Sequence, residues 1–245
     1  MRFFLFYSLL CCISTSVFAK DYAVDKQEVL ITQLLKQQVK QHISIQHSVS
    51  AILKRYPEKV DPVLKSALHL YPNRYKQIML GAIRAEPALV CDVVESVIQA
   101  NVAPNEKVIE IAINAEPAYA REIVKVAADH NPESIAGLVR VAIITEPFVA
   151  ESVMDDSMLS YPEKMLDILT AAISAIPEQV SNLVTDTLTL FPDDADSVVS
   201  TAVSHSEAHY SRDIVNAAVN SGISEDSAIA AAITGGANKE TFAKH

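Results

Sequence analysis

The apolar residues of this 245-residue chain fall on one helical stripe that restarts at almost every proline. Pro57, Pro72, Pro87, Pro104, Pro117, Pro132, Pro147, Pro162, Pro177 and Pro192 follow one another at 15 residues, except for a step of 17 and then one of 13 that restores the phase. With each proline as position 1, position 7 carries Val63, Ile78, Val93, Ile123, Leu138 and Ile168, and position 8 Leu64, Met79, Val94, Val124 and Leu169. Position 12 is again apolar (Leu68, Ile83, Ile143, Ile173), position 4 adds Val60, Val90 and Ile135, and position 11 is small (Ala67, Ala82, Ala127, Ala142, Ala172, Ala202). Positions 4, 7, 8, 11 and 12 are the i, i+3, i+4, i+7, i+8 spacing of an amphipathic helix.

Proline suits a helix start, because the first turn has no use for its missing N–H and its φ is already helical. It also pushes the preceding residue out of the α region and so ends the helix before it. Each unit therefore reads as a helix of about 11 or 12 residues followed by a turn of about three. Glu58, Glu133, Glu163, Glu178, Asp193 and Asp194 sit in first turns, where the helix dipole favours negative charge. Helices this short are marginal alone, and connections this short make neighbours antiparallel.

A second periodicity doubles the unit. The endings before Pro87, Pro117, Pro147 and Pro177 (Ile83 to Glu86, Ile113 to Glu116, Ile143 to Glu146, Ile173 to Ile176) recur every 30 residues. Between them lie different endings, such as Leu70-Tyr71, His130-Asn131, Ser160-Tyr161 and Leu190-Phe191. Alternate helices thus have distinct surroundings, as two layers of a superhelix require. With these motifs the stretch from 42 to 234 resembles the α-solenoid class, in particular short two-helix units like the smaller HEAT-type repeats. It lacks the Trp, Gly and Tyr spacing of tetratricopeptide repeats. The resemblance implies an all-α solenoid of antiparallel helices that binds a protein or peptide partner, without naming the partner.

Both ends depart from the pattern as caps would. Residues 20–56 read as an N-terminal helical cap: 25–56 keep helical periodicity (Val29, Leu30, Leu34, Leu35, then Ile45, Val49, Ile52, Leu53) without a proline register and are rich in Gln and Lys, which suits a cap facing water. Residues 57–206 are the proline-punctuated repeats. In 207–234 Glu207 stands where the next proline is due, Ile214, Val215 and Ala218 carry the stripe, and Gly222 fits a C-cap. Gly235-Gly236 then open a tail, 235–245, expected to be disordered.

Ahead of these elements, residues 1–19 have the form of a secretory signal peptide: Arg2, an apolar run from Phe3 to Ile13, and Val17-Phe18-Ala19 before Lys20. The expected product is periplasmic or secreted, with no transmembrane segment in the mature chain. The formal net charge is −10, and −11 once Arg2 leaves with the leader. Such an acidic chain repels phosphate backbones, which disfavours nucleic acid. Of the three cysteines, Cys11 and Cys12 leave with the leader, so Cys91 has no disulfide partner in its own chain.

Candidate chemistry is sparse. His205 and His209, four apart with Glu207 between them, could share a helix face and bind a metal. However, the proline register puts His205 and Ser206 in a turn, and no third protein ligand is obvious in the sequence, although Asp193, Asp194 and Asp196 could in principle join them. Cys91 lies beside Asp92 with no visible base. Five glycines cannot build a phosphate loop, and no nucleophile elbow is present. The expectation is no enzymatic activity, no catalytic residue and no cofactor. Aromatic residues at the turns (Tyr71, Tyr75, Tyr119, Phe148, Tyr161 and Phe191) are the candidate partner-binding residues. The polar or small positions 3, 6, 10 and 13 leave a surface for a shallow groove. Two readings compete with an exported non-enzymatic scaffold: a lipid-surface protein built of amphipathic helices, and a metal-binding protein using the two histidines.

Overall fold

A computed structural model describes residues 15–243, with side chains from residue 26 onward. Residues 1–14 of the expected leader, and the side chains around its expected cleavage point, lie outside the described residues. Fourteen α-helices are seen among the described residues. The first seven are α1 (Thr15–Lys40), α2 (Ile45–Arg55), α3 (Val60–Leu70), α4 (Tyr75–Ala85), α5 (Val90–Ala100), α6 (Asn105–Ala115) and α7 (Ala120–His130). Then come α8 (Ile135–Thr145), α9 (Ala150–Ser160), α10 (Met165–Ala175), α11 (Val180–Leu190), α12 (Ala195–Ser204), α13 (Ser211–Asn220) and α14 (Glu225–Thr234).

Most links are one non-helical residue followed by a 3₁₀ turn. In most units one residue before the proline is non-helical, as at Tyr71 with φ −138° and ψ 58°. Its N–H donates back to Ala67, ending α3, while its carbonyl accepts from Arg74 N–H, closing a 3₁₀ turn over Pro72–Arg74. That turn runs straight into α4. Proline therefore stands first in a 3₁₀ turn, and 11 α-helical residues follow. One residue closes one helix and opens the next.

Each helix packs against the next and against the next but one. Consecutive helices are antiparallel, so odd-numbered helices form one layer and even-numbered helices the other, a stacked α-solenoid. Even-numbered helices α2 to α14 begin at 45, 75, 105, 135, 165, 195 and 225, one every 30 residues. The stripe expected from the sequence is the core: Val63, Ile78, Val93, Ile123, Leu138 and Ile168 are fully buried, with Leu64, Met79, Val94, Leu169 and the alanines of position 11. Burying a Val, Leu or Ile contributes about 1.5–3 kcal/mol. The alanines leave room for neighbouring helices to approach.

The irregular proline step has a local cause. Before α6 the chain turns through Asn101 in the left-handed region (φ 49°), and Pro104 then caps α6 instead of opening a 3₁₀ turn. The cap lies two residues later than the register, yet α6 still starts on phase. Ser44 and Ser224 cap α2 and α14 after similar left-handed residues, His42 and Gly222.

Three expectations are corrected. Ala208, not Glu207, takes the place of the missing proline, because His205 and Ser206 lengthen the turn by one residue and the 3₁₀ turn covers Ala208–Tyr210. In α1 the core-facing residues are Ile31 and Leu35, while Val29, Leu30 and Leu34 are exposed, since α1 has helices on one side only. The tail is not disordered through 243. Asn238 caps a 3₁₀ turn over Lys239–Phe242, Arg212 donates to the Thr241 carbonyl, and Phe242 packs on the core.

Candidate functional site

A shallow depression lies on the solvent-facing side of the even layer. Helices α8, α10 and α12 lie side by side there and form a shallow trough of about 540 Å³. Ala136, Gly137 and Arg140 line it from α8, Leu166, Asp167, Thr170 and Ala171 from α10, and Thr201 and His205 from α12. Its floor is kept low by Ala136, Gly137, Ala171 and the two threonines. At Gly137 an added Cβ would meet nothing nearer than Glu106 Oε1 at 3.8 Å, so the space above it is open. The trough uses positions 5, 6, 9, 10 and 14 of the repeat and only even-numbered helices. The sequence pattern named positions 6 and 10 among its groove candidates but gave no means to choose the layer.

Most of the trough's polar groups are uncommitted. Arg140 makes no ion pair among the described residues, and neither does Asp167 on the neighbouring helix. His205 is held at the end of α12, with Nδ1 3.0 Å from the Thr201 carbonyl and 2.9 Å from Ser204 Oγ. His209 lies in the following 3₁₀ turn, with Nδ1 3.4 Å from Glu207 and its ring 3.9 Å from that of Tyr210. The two histidines thus have separate partners. Among the described residues no group of three His, Cys, Asp or Glu side chains is placed to hold a metal.

The turn aromatics divide into two kinds. Tyr71, Tyr75, Tyr119, Tyr161 and Phe191 are partly buried and packed against the core. Tyr161 also donates its hydroxyl to Asp129 at 3.0 Å, and beside it Lys164 reaches Glu133 at 2.6 Å, two braces between successive repeats. Phe148 is different: it is 98% exposed, at the tip of the turn between α8 and α9.

In the odd layer, acids crowd between α9 and α11. Burial, then the nearby Glu151 and Asp155 carboxylates, push Asp186 up to about 6. Burial and Glu151 likewise raise Asp155, whose Oδ1 has no hydrogen-bond partner. Cys91 is half-buried, and burial followed by the Glu122 and Asp92 carboxylates raises its thiol, so it stays protonated and unreactive at neutral pH.

One signal was open to sequence reading and was missed. Residues 141–211 contain twelve acidic side chains and one basic one, Lys164, whereas residues 57–140 contain eleven and nine. The negative charge of the repeats is concentrated around α9 to α12. Among the described residues no helix is long and apolar enough to cross a membrane. The fold and trough together define a generic helical-repeat architecture. Searches against family models, curated proteins and solved structures give no match, so the class rests on the repeat geometry itself.

Proposed function

We propose that this protein is an exported, non-enzymatic scaffold that binds a polypeptide partner in the trough across α8, α10 and α12. The observation that carries this reading is a depression shared by three parallel helices, floored by small residues and edged by an unpaired cation and an unpaired acid. Solenoid layers suit extended ligands, because successive repeats present the same surface at regular spacing. Export is supported by the sequence of residues 1–19. The lipid-surface alternative loses its footing, since the apolar stripes of the repeats are buried against neighbouring helices.

A photo-crosslinking amino acid at Thr170, inside the trough, tests the site against the same residue at Lys125 on the odd layer. Polypeptide adducts at 170 and none at 125 are expected when the protein is expressed in its own cells. Adducts at 125 alone, or none at either position, refute the assignment. Mass spectrometry of the exported protein should show a chain beginning at Lys20. An intact N-terminus would refute export by cleavage.

A further inference from the structure

The repeats are each other's controls, and α8 with its following turn departs from them in a single direction. The residue at position 13 of the even-numbered helices is Lys54, Arg84, Asn114, Ser174, Ser204 or Thr234 elsewhere, but Ile144 in α8. The second residue of the next turn is Ala88, Ala118, Glu178 or His209 elsewhere, but Phe148 after α8. Both are exposed, Ile144 at 53% and Phe148 at 98%, so neither serves the core. Ile144 lies one turn beyond Arg140 on the same helix face, and this places it at the C-terminal end of the trough. The opposite end, where α10 and α12 begin, carries Glu163, Asp167, Asp193, Asp194 and Asp196. The one basic residue of this stretch, Lys164, is already held by Glu133 at 2.6 Å.

We propose that the trough takes an extended cationic polypeptide segment, with its positive side chains over Asp167 and the acids beside it, and a bulky apolar side chain on Ile144 and Phe148. The proposal rests on the trough being the binding site. The spacing follows from helix geometry. Asp167 is the third residue of α10 and Ile144 the tenth of α8, so the two are offset by about 10 Å along parallel axes and by about 8–10 Å between them. The separation of about 14 Å is spanned by about four residues of extended chain. Arg140 lies between these ends as the one Lys or Arg side chain among those lining the trough. Its guanidinium has only donors and faces the backbone carbonyls of such a segment. The acidic end draws the ligand in and the apolar end fixes its direction and register.

Fluorescence anisotropy on the purified protein tests this with a labelled glycine–serine peptide carrying two lysines four residues before a phenylalanine. Binding should weaken about tenfold or more with D167K, with the I144S/F148S double variant, and with alanine for the peptide's phenylalanine. It should also weaken as salt is raised. All three substituted side chains lie on the surface, so I144S/F148S should melt like wild type and D167K, which removes the acid of the first turn of α10, only slightly below it. Equal binding of a peptide with glutamates for its lysines overturns the charge assignment. Unchanged binding by I144S/F148S overturns the apolar one. A dimer dissolved by F148S would make a second copy the occupant, and recruitment to neutral phosphatidylcholine vesicles lost in F148S would make it a membrane. Either result overturns the proposal. If the crosslinker at 170 captures polypeptide while the lysine peptide fails to bind, the partner chemistry falls and the site stands. If 170 captures nothing, both fall.

Discussion

Two glycines in one layer of the solenoid should respond to the same substitution with opposite sign. Gly81 lies within α4, where its side faces the backbone of α2. A Cβ built there would stand 2.5 Å from the Gln46 carbonyl oxygen and 3.1 Å from its Cα. Ordinary contact requires a gap near 3.4 Å, so G81A must part α2 from α4 by nearly an ångström. A gap of that size forfeits about a quarter to a half of the dispersion attraction of each atom pair across the interface. Overpacking costs about 1–3 kcal/mol, and the upper end applies because the obstacle is backbone that cannot rotate away. Alanine returns about 1 kcal/mol through helix propensity, leaving a net loss of about 2 kcal/mol. For a chain of this size that lowers Tm by about 4–8 °C. Gly137, in α8, has no atom within ordinary contact except Glu106 Oε1 at 3.8 Å. G137A should therefore stabilise by about 0.5–1 kcal/mol. Thermal melts followed by circular dichroism rank the three proteins, and hydrogen exchange shows where the loss falls. In G81A faster exchange should concentrate in α1 to α4, because each repeat is held only by its neighbours. If G81A is as stable as wild type, or if both variants move the same way, close backbone approach does not set the spacing of the even layer.

Other substitutions probe separate terms. I123D buries a charge at a fully buried core position and should cost about 3–5 kcal/mol, read from urea unfolding; tolerance would remove position 7 from the core. D186N tests the acids between α9 and α11. The folded-state value of Asp186, about 6, exceeds its ordinary 3.8, so folded protein binds the proton more tightly. Wild-type stability must then fall as pH rises from about 4 to about 6 and stay lowered above that. Because Asp186 is only partly buried, solvent screening limits the gain from D186N to about 1 kcal/mol at pH 7, with none at pH 4; an equal gain at both values would refute the charge origin. Y161F deletes the hydroxyl bond to Asp129 and should cost about 0.5 kcal/mol, a difference that should vanish when Asp129 is already alanine.

The proline register and the apolar stripe carried the architecture, since both are local rules repeated in every unit. Where the fold departed from that reading, the cause was a preference that periodicity does not encode. Asn101 enters the left-handed region before α6, and nothing in the apolar pattern distinguishes that turn from the 3₁₀ turns beside it. His205-Ser206 lengthen one turn by a residue, which moves the proline's role to Ala208 while α14 still starts on phase. In α1 the choice between Leu30-Leu34 and Ile31-Leu35 as the inner stripe depends on how α2 and α3 approach it. The trough was legible only in part. Small residues at positions 6 and 10 suggested a groove, but they occur in both layers, and packing decides which layer opens. Ile144 and Phe148 were visible as departures from their repeat equivalents; Phe148 was named for being aromatic, whereas five similar aromatics turned out to pack on the core.

The location of the departures bears on function. A solenoid helix meets only its neighbours, so a residue that weakens one repeat is not compensated from a distance. Between α8 and α12 the chain accumulates features that do nothing for stability or oppose it. Phe148 is almost wholly in water, Gly137 occupies a helix position where alanine would fit, and Asp186 is held near other acids at a value of about 6. Residues 141–211 hold twelve acids and one lysine, itself already paired. Repeats α3 to α6 serve the same fold with nearly balanced charge and without an exposed phenylalanine. Costs concentrated in one part of a repeating structure mark a site on the scaffold. It follows that substitutions relieving them, such as G137A and D186N, can strengthen the fold, while I144S/F148S should leave it unchanged and remove binding.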